Sequence, residues 1–359
     1  MSPGASRWTS AGCSLLLAGA CGGGGGTPLP STEPIQAVTG DRIFVVNGGD
    51  SSISVIDPAA SEVVGQIRIV GAVFPHHVYA SPDRRRLAVS IPGVDLSQGH
   101  HQPGADGQGG HDQHAAVQGS VLVLDSSTGE TLASTWLDEM NHNAAFSPDG
   151  TEVWTTQMGE VGSAVALDVD TLEPIDVAST GSGPSEVTFS FDGKRAFVAN
   201  THASSVVALD VATRERVGTV LVGDAPVGAW PGEDNVMYVD CEATQDVYAI
   251  DASSLEVLFR IPLGFTPGMS VRAPTGELWA TDSQGGRVVI YSLDDRWEMG
   301  QVATGAGAHA IAFSADGSRA WITNQQADTV TVVDVAARTV ITDIAVGSKP
   351  NGVLFVEKP

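Results

Sequence analysis

Cysteine is scarce in this chain, with three in 359 residues, so no disulfide framework holds it together. Positive charge is scarce too. Only 18 lysines and arginines stand against 42 aspartates and glutamates, for a formal net charge of −24. Such a surface repels a nucleic-acid backbone and an anionic bilayer, which excludes nucleic acid as a partner and leaves cations as the species it concentrates. No apolar run approaches the ~20 residues of a membrane-spanning helix. Several catalytic signatures are also missing: there is no Gly-x-Ser-x-Gly elbow, no His-Glu-x-x-His and no glycine-rich phosphate loop between a strand and a helix.

Glycine, by contrast, is plentiful at 42 residues, while aromatics make up 6%. That balance suits many short strands joined by tight turns. The first 40 residues stand apart. Arg7 precedes an apolar run from Ala11 to Ala20, the length of a signal-peptide core, and the run ends in LAGAC at Cys21 with five glycines after it. Small residues before a cysteine, followed by a flexible leash, resemble the lipobox of bacterial lipoproteins, although Ala18 stands where that motif usually has Leu. Residues 1–21 therefore read as a signal peptide with Cys21 as the lipidation site, and 22–40 as a Gly/Pro-rich tether. Cleavage without lipidation is the alternative. The expectation is an exported protein, periplasmic or on the cell surface, that meets a membrane only through a lipid anchor. Cys241 is then the one cysteine left in the fold, placed between Asp240 and Glu242. A structural thiol is the plainer reading of it.

From Asp41 to Pro359 the sequence repeats. Each unit opens with Pro-x-x-Val-x-Phe-Ser-x-Asp-Gly, continues with an alternating run, then Val-x-Val-x-Asp-x-x-Thr, and ends near Ile-x-Val-Gly. The opening recurs at Pro75, Asn141, Pro184, Pro226, Pro267, Ala308 and Pro350, at intervals of 66, 43, 42, 41, 41 and 42 residues. A third-strand aspartate recurs as Asp57, Asp125, Asp168, Asp210, Asp251, Asp294 and Asp334; so regular a set reads as turn caps. Four period-2 strands every ~42 residues predict an all-β, seven-bladed β-propeller. The phase predicts how it closes. RIFVVN at Arg42 is a second strand with no first strand before it, and KPNGVLFV at the C-terminus is a first strand with nothing after it. The last strand should complete the N-terminal blade and remove the free sheet edge. The segments FVVN at Phe44, FVAN at Phe197 and WITN at Trp321 resemble the YVTN-type repeats of bacterial seven-bladed propellers. That resemblance implies a fold and leaves function open.

Propeller topology then places the histidines. Loops entering first strands, and loops between second and third strands, lie on one face, here called the top. All nine histidines fall there. His76, His77, His142 and His309 stand at first-strand entries, and His202 stands in a two-to-three loop. His100, His101, His111 and His114 stand in the long insertion Asp95–Gln118, whose polar, glycine-rich composition suits a metal-capture loop. The residue after the entry position runs His76, His142, Ser185, Val227, Gly268, His309 and Asn351 around the ring. Three imidazoles in one channel-lining column suit zinc or copper, with an open fourth position. No carboxylate shares that column; Glu186 lies one residue along.

The combined expectation is an extracytoplasmic propeller that binds or delivers zinc or copper to a transporter or other envelope protein. Its architecture and histidine pattern resemble periplasmic zinc-chaperone propellers. Two alternatives stand beside it: a non-catalytic interaction scaffold of the cell envelope, and a propeller lactonase or lyase with His142 or His309 as general base. The anchor is directly testable. Cys21→Ser should move the protein from the membrane fraction to the soluble one with its thermal unfolding unchanged, as fractionation and immunoblotting would show; a wild-type protein already wholly soluble after export contradicts the anchor.

Overall fold

A computed structural model describes residues 27–97, 117–159 and 161–358. Among them every regular element is a strand, arranged in seven antiparallel sheets set in a ring. Six sheets have four strands in meander order, and the seventh has five. The first blade is built from both ends of the chain, as the phase of the repeat predicts. Its innermost strand, Pro350–Val356, pairs with Arg42–Asn47 through Val353↔Val45 and Val356↔Arg42. Ser52–Asp57 and Glu62–Val70 complete it outward.

The stretch expected to be tether is only partly so. Ser31–Glu33 adds a fifth, outermost strand to the first blade, with Thr32 opposite Ile69. The Thr32 backbone N–H donates to Thr131 Oγ1 at 2.9 Å, and its hydroxyl donates to the Gly129 carbonyl at 2.5 Å. Both partners lie on the second blade. Ile35 and Val38 pack against the apolar cluster between these two blades. This short segment lacks a repeat signature, but it covers an exposed edge and staples two blades together.

The repeat residues account for the packing. The phenylalanine of the opening motif receives the aromatic of the preceding blade: Trp154 meets Phe189 at 5.6 Å, Trp279 meets Phe313 at 5.4 Å and Trp321 meets Phe355 at 5.6 Å between ring centroids. All three indoles are buried, so each is a wedge between blades. The Ser-x-Asp turns close by side chain. Ser81, Ser147, Ser190 and Ser314 donate to Asp83, Asp149, Asp192 and Asp316 at 2.6–2.7 Å. These bonds hold the carboxyls below their ordinary range, that of Asp316 at about 2. The third-strand aspartates cap their turns as expected, with Asp57, Asp125, Asp168, Asp210 and Asp251 accepting two backbone N–H groups each. The sixth blade departs from this. Ser292 occupies the capping place, and its hydroxyl accepts the Asp295 N–H at 3.2 Å; Asp294 lies beyond it.

Deleting the chain from Lys349 onward should therefore unpair Arg42–Asn47 and abolish the single cooperative thermal transition. Calorimetry of the truncated protein checks this, and an unchanged midpoint contradicts the closure.

Candidate metal centre

The entries to the inner strands are not regular strand, and this irregularity assembles the site. In the second blade Val78–Ala80 is the regular part, paired Val78↔Val89. Just before it, Ser90 serves two residues at once: its carbonyl accepts the His76 N–H at 2.9 Å, and its N–H donates to the His77 carbonyl at 3.2 Å. Two residues opposing one is a β-bulge, which breaks strict in-out alternation. In the fourth blade, Pro184 opposes Asn200 and Val187 opposes Val198, so one extra residue is accommodated around Ser185 and Glu186. The closing strand has the same shift around Asn351 and Gly352.

Hydroxyls of the second strands fix these entries between blades. Ser90 donates to the His142 carbonyl at 2.7 Å, Thr156 to that of Ser185 at 2.6 Å, Thr281 to that of His309 at 2.6 Å and Thr323 to that of Asn351 at 2.7 Å. Each donor sits at the same place in its strand, and each acceptor belongs to the column identified from sequence. The backbone carrying the histidines is thus held from the neighbouring blade.

His76, His77 and His142 converge. All three are buried, and one nitrogen from each lies within 4.8 Å of the others. The ring centroids of His76 are 4.5 Å from both His77 and His142. The Nε2 atoms of His76 and His142 face each other at 3.2 Å. Two imidazole nitrogens bound to one tetrahedral ion at ~2.0–2.1 Å are themselves roughly 3.3 Å apart. The far side of each ring is also engaged: the Asn351 amide nitrogen lies 2.5 Å from His76 Nδ1, and Glu186 Oε1 lies 3.3 Å from His142 Nδ1. The same Glu186 oxygen is 3.2 Å from His77 Nε2. Each ring thus has a polar group facing Nδ1 while the Nε2 atoms turn together; metal-binding histidines donate the far N–H to an acceptor, which Glu186 offers to His142, whereas Asn351 turns its amide nitrogen to His76.

Glu186 also sets the electrostatics. It is buried, its second oxygen meets the Tyr79 hydroxyl at 3.4 Å, and Asn143 Nδ2 lies 3.4 Å from that hydroxyl. Burial, then the Glu186 charge, push the Tyr79 phenol well above its ordinary value. The same two causes, in the same order, raise the Asp240 carboxyl. Trp230 Nε1 donates to Asp240 Oδ1 at 2.7 Å, while Oδ2 is buried with no hydrogen-bond partner.

The other residues singled out from sequence separate from this group. His309 belongs to the expected column, yet its ring centroid is 6.1 Å from His76 and 6.3 Å from His77. It is half-buried and lines a cavity of about 170 Å³ at the channel mouth with Glu242 and Gln325. His77, one residue off the column, takes the third place in the tight group because the bulge turns it inward. His202 is exposed in its loop on the fourth blade. The Cys241 thiol is fully buried, and burial followed by Asp246 and Asp240 raises it; that environment keeps it protonated and inert. His100, His101, His111, His114 and Cys21 lie outside the described residues. Two residues that sequence reading passed over as site groups, Glu186 and Asp240, had a visible signal: each is an acid in a strand segment with no other charged residue, PSEVTF and VMYVDC.

No family model matches the chain, and no curated protein matches it. Solved structures do. One is a periplasmic gluconolactonase of Pseudomonas aeruginosa, with a TM-score of 0.69 and 19% identity over 89% of this chain and 99% of that one. A second is the hydrazine synthase of Kuenenia stuttgartiensis, with a TM-score of 0.63 and 17% identity over 78% and 89%. A third is the dihydro-heme d1 dehydrogenase NirN, with a TM-score of 0.60 and 16% identity over 87% and 65%. At these identities the likeness is one of fold.

Asp240 provides a test of the channel's electrostatics. Its folded-state carboxyl titrates above its unfolded value, so between the two the folded state holds a proton that the unfolded state has lost. Stability therefore falls as pH rises through that window, by up to about 1.4 kcal/mol per pH unit. Asp240→Asn is nearly isosteric and does not titrate. Its thermal midpoint should match wild type near pH 4 and exceed it increasingly toward neutral pH; a difference that stays constant with pH overturns the assignment.

Proposed function

We propose that this protein is an extracytoplasmic metal-binding propeller that binds or delivers zinc or copper through His76, His142 and His77 at the channel mouth. The observation that carries the reading is the 3.2 Å approach of two Nε2 atoms whose Nδ1 atoms face Asn351 and Glu186. Neutral imidazole is a borderline ligand that suits Zn²⁺ and Cu²⁺ and suits Ca²⁺ or Mg²⁺ poorly. His309, lining the cavity at the edge of the mouth, would meet an ion before it reached the inner group. The histidines of the insertion would raise the local ion concentration, and Cys21 would tether the protein at the membrane, beside a transporter or other envelope protein that gives or takes the ion.

A hydrolase reading rests on two things: the fold shared with a gluconolactonase, and the Glu186–His142 contact, which has the form of an oriented general base. A scaffold reading rests on the fold alone. Isothermal titration of untagged protein with Zn²⁺ and Cu²⁺ separates the three. One tight site is expected in the wild type, and His142→Ala should weaken it by orders of magnitude, since a preformed site loses one of three nitrogen ligands. Deleting Gly99 to His114 should keep the tight site and remove weaker additional ions. Unchanged tight stoichiometry in His142→Ala sinks the reading. Lactone hydrolysis that persists in metal-stripped protein would favour the hydrolase.

A further inference from the structure

The strand that closes the ring also touches the histidine group. Asn351 Nδ2 lies against His76 Nδ1 at 2.5 Å, and the Gly352 N–H donates to the His76 carbonyl at 2.9 Å. A Cβ on Gly352 would lie 2.9 Å from the His76 carbonyl oxygen, 2.9 Å from His77 Cα and 3.3 Å from His77 Nδ1. No side chain fits there without pushing the closing strand off the histidine backbone. The Asn351 carbonyl accepts the Thr323 hydroxyl at 2.7 Å, which ties this contact to the seventh blade as well. Residues from blades seven, one and two therefore meet at His76.

We propose that Asn351 is a positioning residue of the metal centre, so that metal occupancy and closure of the ring form one linked equilibrium. The inference rests on the metal reading above. A metal needs lone pairs on both facing Nε2 atoms, which requires the proton of each ring to sit on Nδ1. For His142, the acceptor facing Nδ1 is Glu186 Oε1, 3.3 Å away. For His76, the acceptor is Asn351. As arranged, the amide nitrogen faces Nδ1, and Asn351 Oδ1 is buried with no hydrogen-bond partner. In that arrangement Nδ1 accepts, and the proton lies on Nε2, toward His142. A half-turn of the amide presents Oδ1 instead, moves the proton to Nδ1 and frees Nε2. An amide serves both states because it carries a donor and an acceptor on one planar group. The metal then draws Asn351 and its strand onto His76, and a ligand that binds the closed ring better than the open one stabilises closure by mass action.

Two measurements on the full-length protein test this. In hydrogen exchange of the wild type, adding Zn²⁺ should slow the amides of Pro350–Val356 and of residues 76–80 well beyond those of Val236–Cys241, across the ring. In zinc titrations, Asn351→Asp, which can only accept, should bind at least as tightly as wild type, whereas Asn351→Leu should bind about tenfold or more weakly. A role confined to holding the seam predicts that both variants lose affinity together, in step with their metal-free thermal midpoints. That result, or zinc binding in the wild type without selective protection of the closing strand, overturns the inference alone. A wild type that binds no zinc overturns the metal reading and this inference with it.

Discussion

The antiparallel pairing of Pro350–Val356 with Arg42–Asn47 joins segments some three hundred residues apart, and the channel depends on it. Each blade presents its inner strand to the axis only because its neighbours hold it on both sides. The hydroxyl bonds from Ser90, Thr156, Thr281 and Thr323 to the next blade's entry carbonyl repeat that dependence at the level of single residues. A gap anywhere in the ring would release a carbonyl, and with it the side chain that follows. The seam is where the ring is most exposed to failure, since it is the one blade made without chain continuity between its first and second strands. Ser31–Glu33 reinforces the outer side of that blade, and the contacts of Asn351 and Gly352 reinforce the inner side.

Bulges convert this scaffold into a site. A regular strand sends successive side chains to opposite faces, so one inner strand offers at most alternate residues to the channel. At the entries the alternation fails. His76 and His77 share a single partner in Ser90, and Glu186 comes from the extra residue in the fourth blade. Bulges of this kind re-aim side chains near functional sites. Here they bring three nitrogens and a carboxylate from three blades into hydrogen-bonding range, where strict pleating would bring fewer.

The same distinction explains what could be read in advance. The fold was legible because the 42-residue period and its phase are properties of the linear sequence, and the orphan first strand at the C-terminus fixed the closure. The histidine column was legible because blade position follows from the period. Depth within the channel was not. A column assigned by counting treats His76, His142 and His309 as equivalent, whereas the ring separates His309 by 6.1 Å from His76 and the bulge substitutes His77. Glu186 was discounted by the same rule of alternation. The tether was misjudged at Ser31–Glu33 because a three-residue strand carries too few residues for its period to show. Asp294 was counted with the turn caps on spacing alone, and a serine two residues earlier does that job.

Glu186 is the group that gives the channel its chemical direction. A buried carboxylate is costly unless positive charge or several donors compensate it. Its contacts on this side are imidazole nitrogens and a phenol, and the nearby Asp240 is held toward its neutral form, which limits repulsion but adds no positive charge. An ion held between the rings, as proposed above, would supply such positive charge on the imidazole side. A proton on either facing Nε2 would take the place of that ion, so the two would compete. An ion between the rings would use both Nε2 atoms, with Glu186 facing the far nitrogen of His142 and Asn351 that of His76. The acidic surface would favour such an ion by concentrating cations outside the channel, while nitrogen donors would favour a borderline transition metal over calcium or magnesium. On that proposal, selectivity would come from the facing rings and the balance of buried charge from the carboxylate behind them.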